Sequence, residues 1–295
     1  MDGLQRLSAI YEFYTDAYRL EGLQQWAELN GRTYSELPQQ VKKGIDRRYL
    51  SSIILLQETA KNENDAKKLK QLVFERINSG GVFLKPQESR NAVYNGPLNQ
   101  VCLDLSRYEP FCLMWGIPIG DENDEDIMLE LLLNVHFKEM EDVELVLRFF
   151  ANRQRSRYAS ISNKRFSDYL DLYLKHGNNF PRETLSSLSD LFKQTVDLVY
   201  TLFGEKAFWL LRKRANSWNW RSSPTTAVYD PLMMVAANYL KYKNHPNFQN
   251  LIDEERIKYF YIKNYSIFEG RNTNTNVLLE REECFNFLFN SLLDD

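Results

Sequence analysis

The 295-residue chain has little of what most sites are recognised by. Its three cysteines, Cys102, Cys112 and Cys284, form no Cys-x-x-Cys pair, and its three histidines, His136, His176 and His245, are isolated from one another. That spacing argues against a structural zinc site. A sparse, odd cysteine count fits a reducing compartment and free, buried thiols. No apolar run approaches the roughly 20 residues of a membrane span, and the polar first six residues are not a secretory-signal pattern. Neither charge sign dominates: 37 Lys and Arg stand against 40 Asp and Glu, a net charge of -3. No global field therefore draws the chain to nucleic acid or a membrane, and any polyanion site must be a local patch. The expectation is a cytoplasmic protein without membrane contact. No pairing of a nucleophile with a base suggests a Ser-His-Asp arrangement.

What is present is an ordinary globular composition, 43% hydrophobic and rich in Tyr and Phe, which favours a packed core over disorder. Leu4, Leu7, Tyr11, Tyr14 and Tyr18 have helical spacing, predicting a helix over 3–21. Asp2 with Gln5 three residues on reads as its capping box. Residues 48–57 read as one buried strand, and 66–77 as a helix closed by Asn78-Ser79-Gly80-Gly81. Another helix is predicted to open near Pro86. Helical patterns follow near 98–106, 126–137, 141–151, 163–176, 183–203, 205–214, 226–243, 250–262 and 281–293. The acidic run Asp121 to Asp126 reads as a solvated linker. One strand cannot satisfy its own backbone groups. Partner strands are therefore expected elsewhere, either hidden in this chain or preceding Met1.

Two polar stretches carry the chemistry. Asp2-Gly3-Leu4-Gln5-Arg6 sits at a helix N-terminus, where first-turn N–H groups lack partners and the dipole is positive. Such a tip binds anions; Gly3 admits close backbone approach, and Arg6 offers a planar fork for phosphate. The plainer alternative is a capped helix with a surface arginine. The second stretch, Arg76-Ile77-Asn78-Ser79-Gly80-Gly81, can form an amide nest for an anion. Glu88 and Arg90 lie just inside the next helix. Here the plainer alternative is a helix C-cap and tight turn. A phosphate loop ending in Gly-Lys-Ser or Gly-Lys-Thr is absent.

Together the two stretches resemble the signatures of a widespread prokaryotic family, also found as the N-terminal half of GmrSD-type modification-dependent restriction enzymes. Asp2-Gly3-Leu4-Gln5-Arg6-Leu7 matches the first, with Leu4 replacing a Gln. Phe74, Arg76, Ile77, Asn78, Gly80, Gly81, Leu84, Glu88, Arg90 and Asn91 fill the second. Glu144-Leu-Val-Leu-Arg148-Phe-Phe is similar to stand-alone members with a helical C-terminal region. The resemblance implies a mainly α chain with a small α+β N-terminal portion. It implies an incomplete ParB/sulfiredoxin-like domain over 1–115, lacking the family's first strands, followed by a helical region over 116–295. It also implies a nucleotide-dependent, DNA-directed role in defence against phage.

In that reading Asp2, Gln5 and Arg6 are the catalytic candidates. Gly3, Arg76, Asn78, Ser79, Gly80, Gly81, Glu88 and Arg90 are the nucleotide-binding candidates. The implied cofactors are a nucleoside triphosphate and Mg2+, and the implied partner is DNA, directly or through a partner nuclease. No HNH-like arrangement accompanies the lone histidines, so no DNA cleavage by that chemistry is expected. Two further segments could meet nucleic acid: the basic stretch with Arg153, Arg155 and Arg157, and residues 208–221, which interleave aromatics with cations and include Trp218, Trp220 and Arg221. The alternatives are solvated charge for the first and packing tryptophans for the second. A non-enzymatic DNA- or protein-binding subunit, or an inactive fragment of a longer reading frame, stand as the other functional expectations.

Overall fold

A computed structural model describes residues 4–47, 85–121, 124–155, 165–214, 217–269 and 275–294, with backbone alone at 4–6, 125, 214 and 275. The expected strand over 48–57, the helix over 66–77, the turn at 78–81 and the Asp2 cap lie outside these residues. The chain divides into two compact units, Met1–Phe83 and Leu84–Asp295.

In the first unit, α1 (Leu4–Tyr14) ends seven residues before the expected limit of 21, and α2 (Gln39–Asp46) follows Pro38. Tyrosine hydroxyls hold the two helices together: Tyr14 and Tyr34 donate to the same Asp46 carboxylate oxygen at 3.0 and 2.6 Å. The rings of Phe13, Tyr14, Tyr18 and Tyr34 cluster above this contact. Gly31 turns the intervening loop at φ +82°, a left-handed conformation that glycine adopts without steric cost.

The second unit is helical. α3 (Pro86–Val93), α4 (Pro97–Ser106) and α5 (Glu109–Trp115) each place proline in the first turn, where its missing N–H costs nothing. α6 (Glu125–Leu133) and α7 (Val135–Lys138) are separated by Asn134, whose side chain caps α7 by accepting from Phe137 N–H. Then come α8 (Glu141–Arg153), α9 (Phe166–Gly177) and the 22-residue α10 (Arg182–Phe203). Strands β1 (Leu211–Arg214) and β2 (Ser217–Trp220) form an antiparallel pair with Leu211 opposite Trp220. α11 (Thr226–Tyr239), α12 (Glu254–Lys263), α13 (Tyr265–Phe268) and α14 (Thr275–Asp294) complete the unit. α8, α10 and α11 pack at the centre, flanked by α4 and α14. Buried Phe192 of α10 meets the rings of Phe111, Phe149 and Phe150 at 5.5–6.0 Å.

The protein is mainly α with one small two-stranded sheet among the described residues. Two expectations need correction. The segment 205–214 is a short 3-10 turn followed by β1, not a helix. α5 occupies residues for which no helix was expected. Residues 85–115 belong to the helical unit, which by contacts begins at Leu84.

The end of α9 clamps the start of α4. A Cβ on Gly177 would stand 2.1 Å from Leu98 Cδ2, so any larger residue there would force the buried Leu98 side chain to shift. Beside it, Asn178 Oδ1 accepts from the N–H groups of Leu98 and Asn99 at 3.0 and 3.2 Å, while its amide donates to the Tyr94 carbonyl at 2.7 Å. The side chain thus serves as an N-cap supplied from 80 residues away. Asn178→Ala is expected to cost about 1–2 kcal/mol in a urea titration, the usual loss for a cap and its hydrogen bonds. An unchanged midpoint would show that water replaces the amide without loss.

Candidate functional site

Arg90 is 3% exposed. An arginine so buried must find carboxylates and hydrogen-bond acceptors, and α3, α8 and α9 supply them. Its Nε donates to Asp171 Oδ1 at 2.6 Å and its Nη1 to Glu144 Oε2 at 2.7 Å. Gln87 Oε1 accepts from Nη1 at 3.2 Å, and Ser167 Oγ from Nη2 at 2.6 Å. Glu144 passes the chain of charge onward, with Oε1 lying 3.7 Å from Arg148 Nη1 one turn later on α8. Arg148 then grips Asp230 of α11 with two nitrogens, Nε to Oδ1 at 3.1 Å and Nη2 to Oδ2. Its guanidinium also lies over the Phe166 ring at 4.6 Å. Burial works against the Arg148 charge, but the charge and hydrogen bonds of Asp230, with Glu144, outweigh it and hold the group above the usual arginine value.

Asp171, Arg90, Glu144, Arg148 and Asp230 therefore form one alternating line of charge across four helices, three carboxylates against two guanidinium groups. More arginines gather at its α11 end. Arg153 Nη1 donates to Asn238 Oδ1 at 3.4 Å, and burial lowers its pKa. Arg155 lies 5.3 Å over the other reach of Phe166 and offsets Glu282, a carboxyl raised by burial. Arg281 is 3% exposed, donates Nε to the Ile267 carbonyl at 3.1 Å, and is lowered by burial and by the like charge of Arg212. Its Nη2 finds no hydrogen-bond partner among the described residues.

The sequence-predicted site residues separate accordingly. Asp2, Gly3, Arg76, Asn78, Ser79, Gly80, Gly81 and Arg157 lie outside the described residues. Gln5 and Arg6 are in the first turn and a half of α1, with backbone alone described. Glu88 accepts from Lys85 N–H at 2.8 Å and so caps α3. Arg90 uses its three nitrogens within the helical unit. Trp218 and Trp220, two residues apart on β2, share one face; they meet Tyr265 and Tyr261 edge-on at 5.1 and 5.8 Å. Trp220 Nε1 donates to Glu254 at 3.2 Å, and Arg221 is exposed. Glu144 and Asp171, the acceptors of Arg90, and Asp230, the partner of Arg148, were not anticipated as site residues. Arg90 and its acceptors are 54 and 81 residues apart, beyond any local signal.

The arginine–carboxylate line fastens α3, the helix that follows the double-glycine stretch in sequence, to α8, α9 and α11 of the same unit. The model of the GmrSD restriction endonuclease N-terminal domain family matches residues 1–95, which bears out the resemblance of the two signature stretches. The match spans the first unit and continues through α3, the helix carrying Arg90. No curated protein and no solved structure matches the chain. Among the described residues, no helix is long and apolar enough to cross a membrane, and no group of three or more His, Cys, Asp or Glu could hold a metal ion.

Proposed function

We propose that the chain is a nucleotide-phosphate-binding module of a DNA-directed restriction or anti-phage system, acting with a nuclease supplied separately. The observation that carries this reading is the family match over residues 1–95. Gly3 and the first-turn amides of α1 hold phosphate, because unpaired N–H groups and the helix dipole favour an anion there. Arg6 neutralises it, and Asp2 and Gln5 orient a water or Mg2+. Arg76, Asn78, Ser79, Gly80 and Gly81 form the opposite wall. Glu88 and Arg90 act one step away: Glu88 caps α3, and Arg90 anchors that helix to α8 and α9. Turnover, where it occurs, rests on positioning and charge stabilisation.

Titration of the protein with ATP and GTP in the presence of Mg2+ tests the reading. Arg6→Ala is expected to weaken affinity roughly tenfold or more, the range for losing one charged phosphate contact. Equal affinity removes Arg6 from the role, and no binding by the wild type overturns the nucleotide reading. The partly exposed Arg153 and Arg155, at and just beyond the end of α8, favour a second reading, a non-enzymatic DNA-binding subunit. Steeply salt-dependent binding of duplex DNA without nucleotide turnover would select it.

A further inference from the structure

We propose that Arg281 and Arg212 form a binding site for an oxyanion of the phosphate class within the helical unit. Arg281 lies in the second turn of α14 and is 3% exposed. A guanidinium keeps its charge when buried, and its fork of N–H donors then needs acceptors. Among the described residues Arg281 satisfies one nitrogen: Nε donates to the Ile267 carbonyl at 3.1 Å, while Nη2 is enclosed without a partner. The Phe268 ring covers one side of the group at 5.6 Å and offers no acceptor oxygen. The contrast with Arg90 is direct, since that equally buried arginine has an acceptor for each of its three nitrogens.

The surrounding charges leave that deficit open. Asp230 and Glu280 favour the Arg281 charge, but neither accepts a hydrogen bond from it among the described residues, and Asp230 is already held by two nitrogens of Arg148. Arg212 of β1, half-buried, adds a like charge instead. Two guanidinium groups that repel each other, with no described carboxylate bonded to either, are the arrangement that an oxyanion relieves by accepting from both. A tetrahedral phosphate presents enough oxygens for two forks at once, whereas a planar carboxylate does not. So enclosed a donor admits a free phosphate or the terminal phosphoryl group of a small molecule, and leaves the internal phosphates of a duplex outside.

Calorimetric titration of the whole chain with inorganic phosphate tests this, in an Arg6→Ala background that removes the arginine proposed to hold phosphate at α1. That protein is expected to bind phosphate, and Arg212→Gln or Arg281→Met added to it to weaken binding about tenfold or more, the loss for one charge-assisted contact. Arg212 is only half-buried, so its replacement should leave the circular dichroism of the fold unchanged, and it decides the matter even where Arg281→Met does not fold. Displacement of phosphate by ATP would make a nucleotide's terminal phosphoryl group the source, and indifference to ATP would make it the free anion. Absence of phosphate binding in the Arg6→Ala protein overturns the proposal. So does binding that neither Arg212→Gln nor a folded Arg281→Met weakens. Because Arg6 is already replaced, either failure leaves the nucleotide reading to its own titration.

Discussion

Arg148→Ala is expected to destabilise the protein by about 3–5 kcal/mol, the range for removing one partner of a buried ion pair. The loss is large because Asp230 stays behind, nearly enclosed in the middle of α11, with both oxygens deprived of their donors. Glu144 would keep only its contact with Arg90. Arg90→Ala should cost less, about 1–3 kcal/mol, since water reaches the carboxylates it leaves behind: the Asp171 and Glu144 side chains are 39% and 23% exposed. A double-mutant cycle separates the pair from the packing. Arg148→Met with Asp230→Leu removes both charges together and should recover much of the single-variant loss. Guanidinium denaturation of the four proteins decides this. A single variant within 1 kcal/mol of the wild type would mean that solvent reaches the pair and screens it.

The expected size of that effect bears on function. α3 belongs to the segment matched by the restriction-enzyme domain family, yet its arginine is held by carboxylates of the helical unit. Residues 86–93 therefore owe their position to α8 and α9, and a lesion in those helices would be felt in the matched segment. Arg90 accordingly spends its guanidinium on holding α3 against α8 and α9.

Long amphipathic helices were readable from their periodicity. The pattern at 183–203 corresponds to α10 at Arg182–Phe203, because about six turns of alternating apolar and polar faces leave no competing period. Short elements were not. α5 spans seven residues, fewer than two full repeats of the helical pattern. The segment 205–214 carries a helical pattern in sequence but holds a 3-10 turn and β1. Its pairing with residues 217–220 has no glycine or proline between the strands to announce it. The second signature stretch was legible as a family mark. The partners of Arg90 were not, since Glu144 and Asp171 are brought to it only by packing.

Asp142→Asn is expected to stabilise the protein at alkaline pH and to leave it unchanged near pH 4. Asp142 sits in the first turn of α8, 2% exposed. Burial pushes its carboxyl up to about 7, against the opposing pull of the Val143 N–H at 2.8 Å, Arg107 and Ser106. In the unfolded chain the same group titrates near 3.9. Between these values the folded state binds a proton that the unfolded state has released, so stability falls as pH rises from about 4 to about 7 and is level above that. A raised carboxyl thus acts opposite to the usual salt-bridged aspartate, whose contribution is lost in acid. A displacement of about three pH units corresponds to roughly 4 kcal/mol at the upper limit. The asparagine oxygen can still accept from Val143 N–H, so the variant keeps the local hydrogen bond while removing the charge. The difference in unfolding free energy between variant and wild type, measured from pH 4 to 9, should open through this window and then plateau. Parallel curves across the range would show that Asp142 is ionised in the native state at low cost, with Arg107 and the helix N-terminus offsetting its burial.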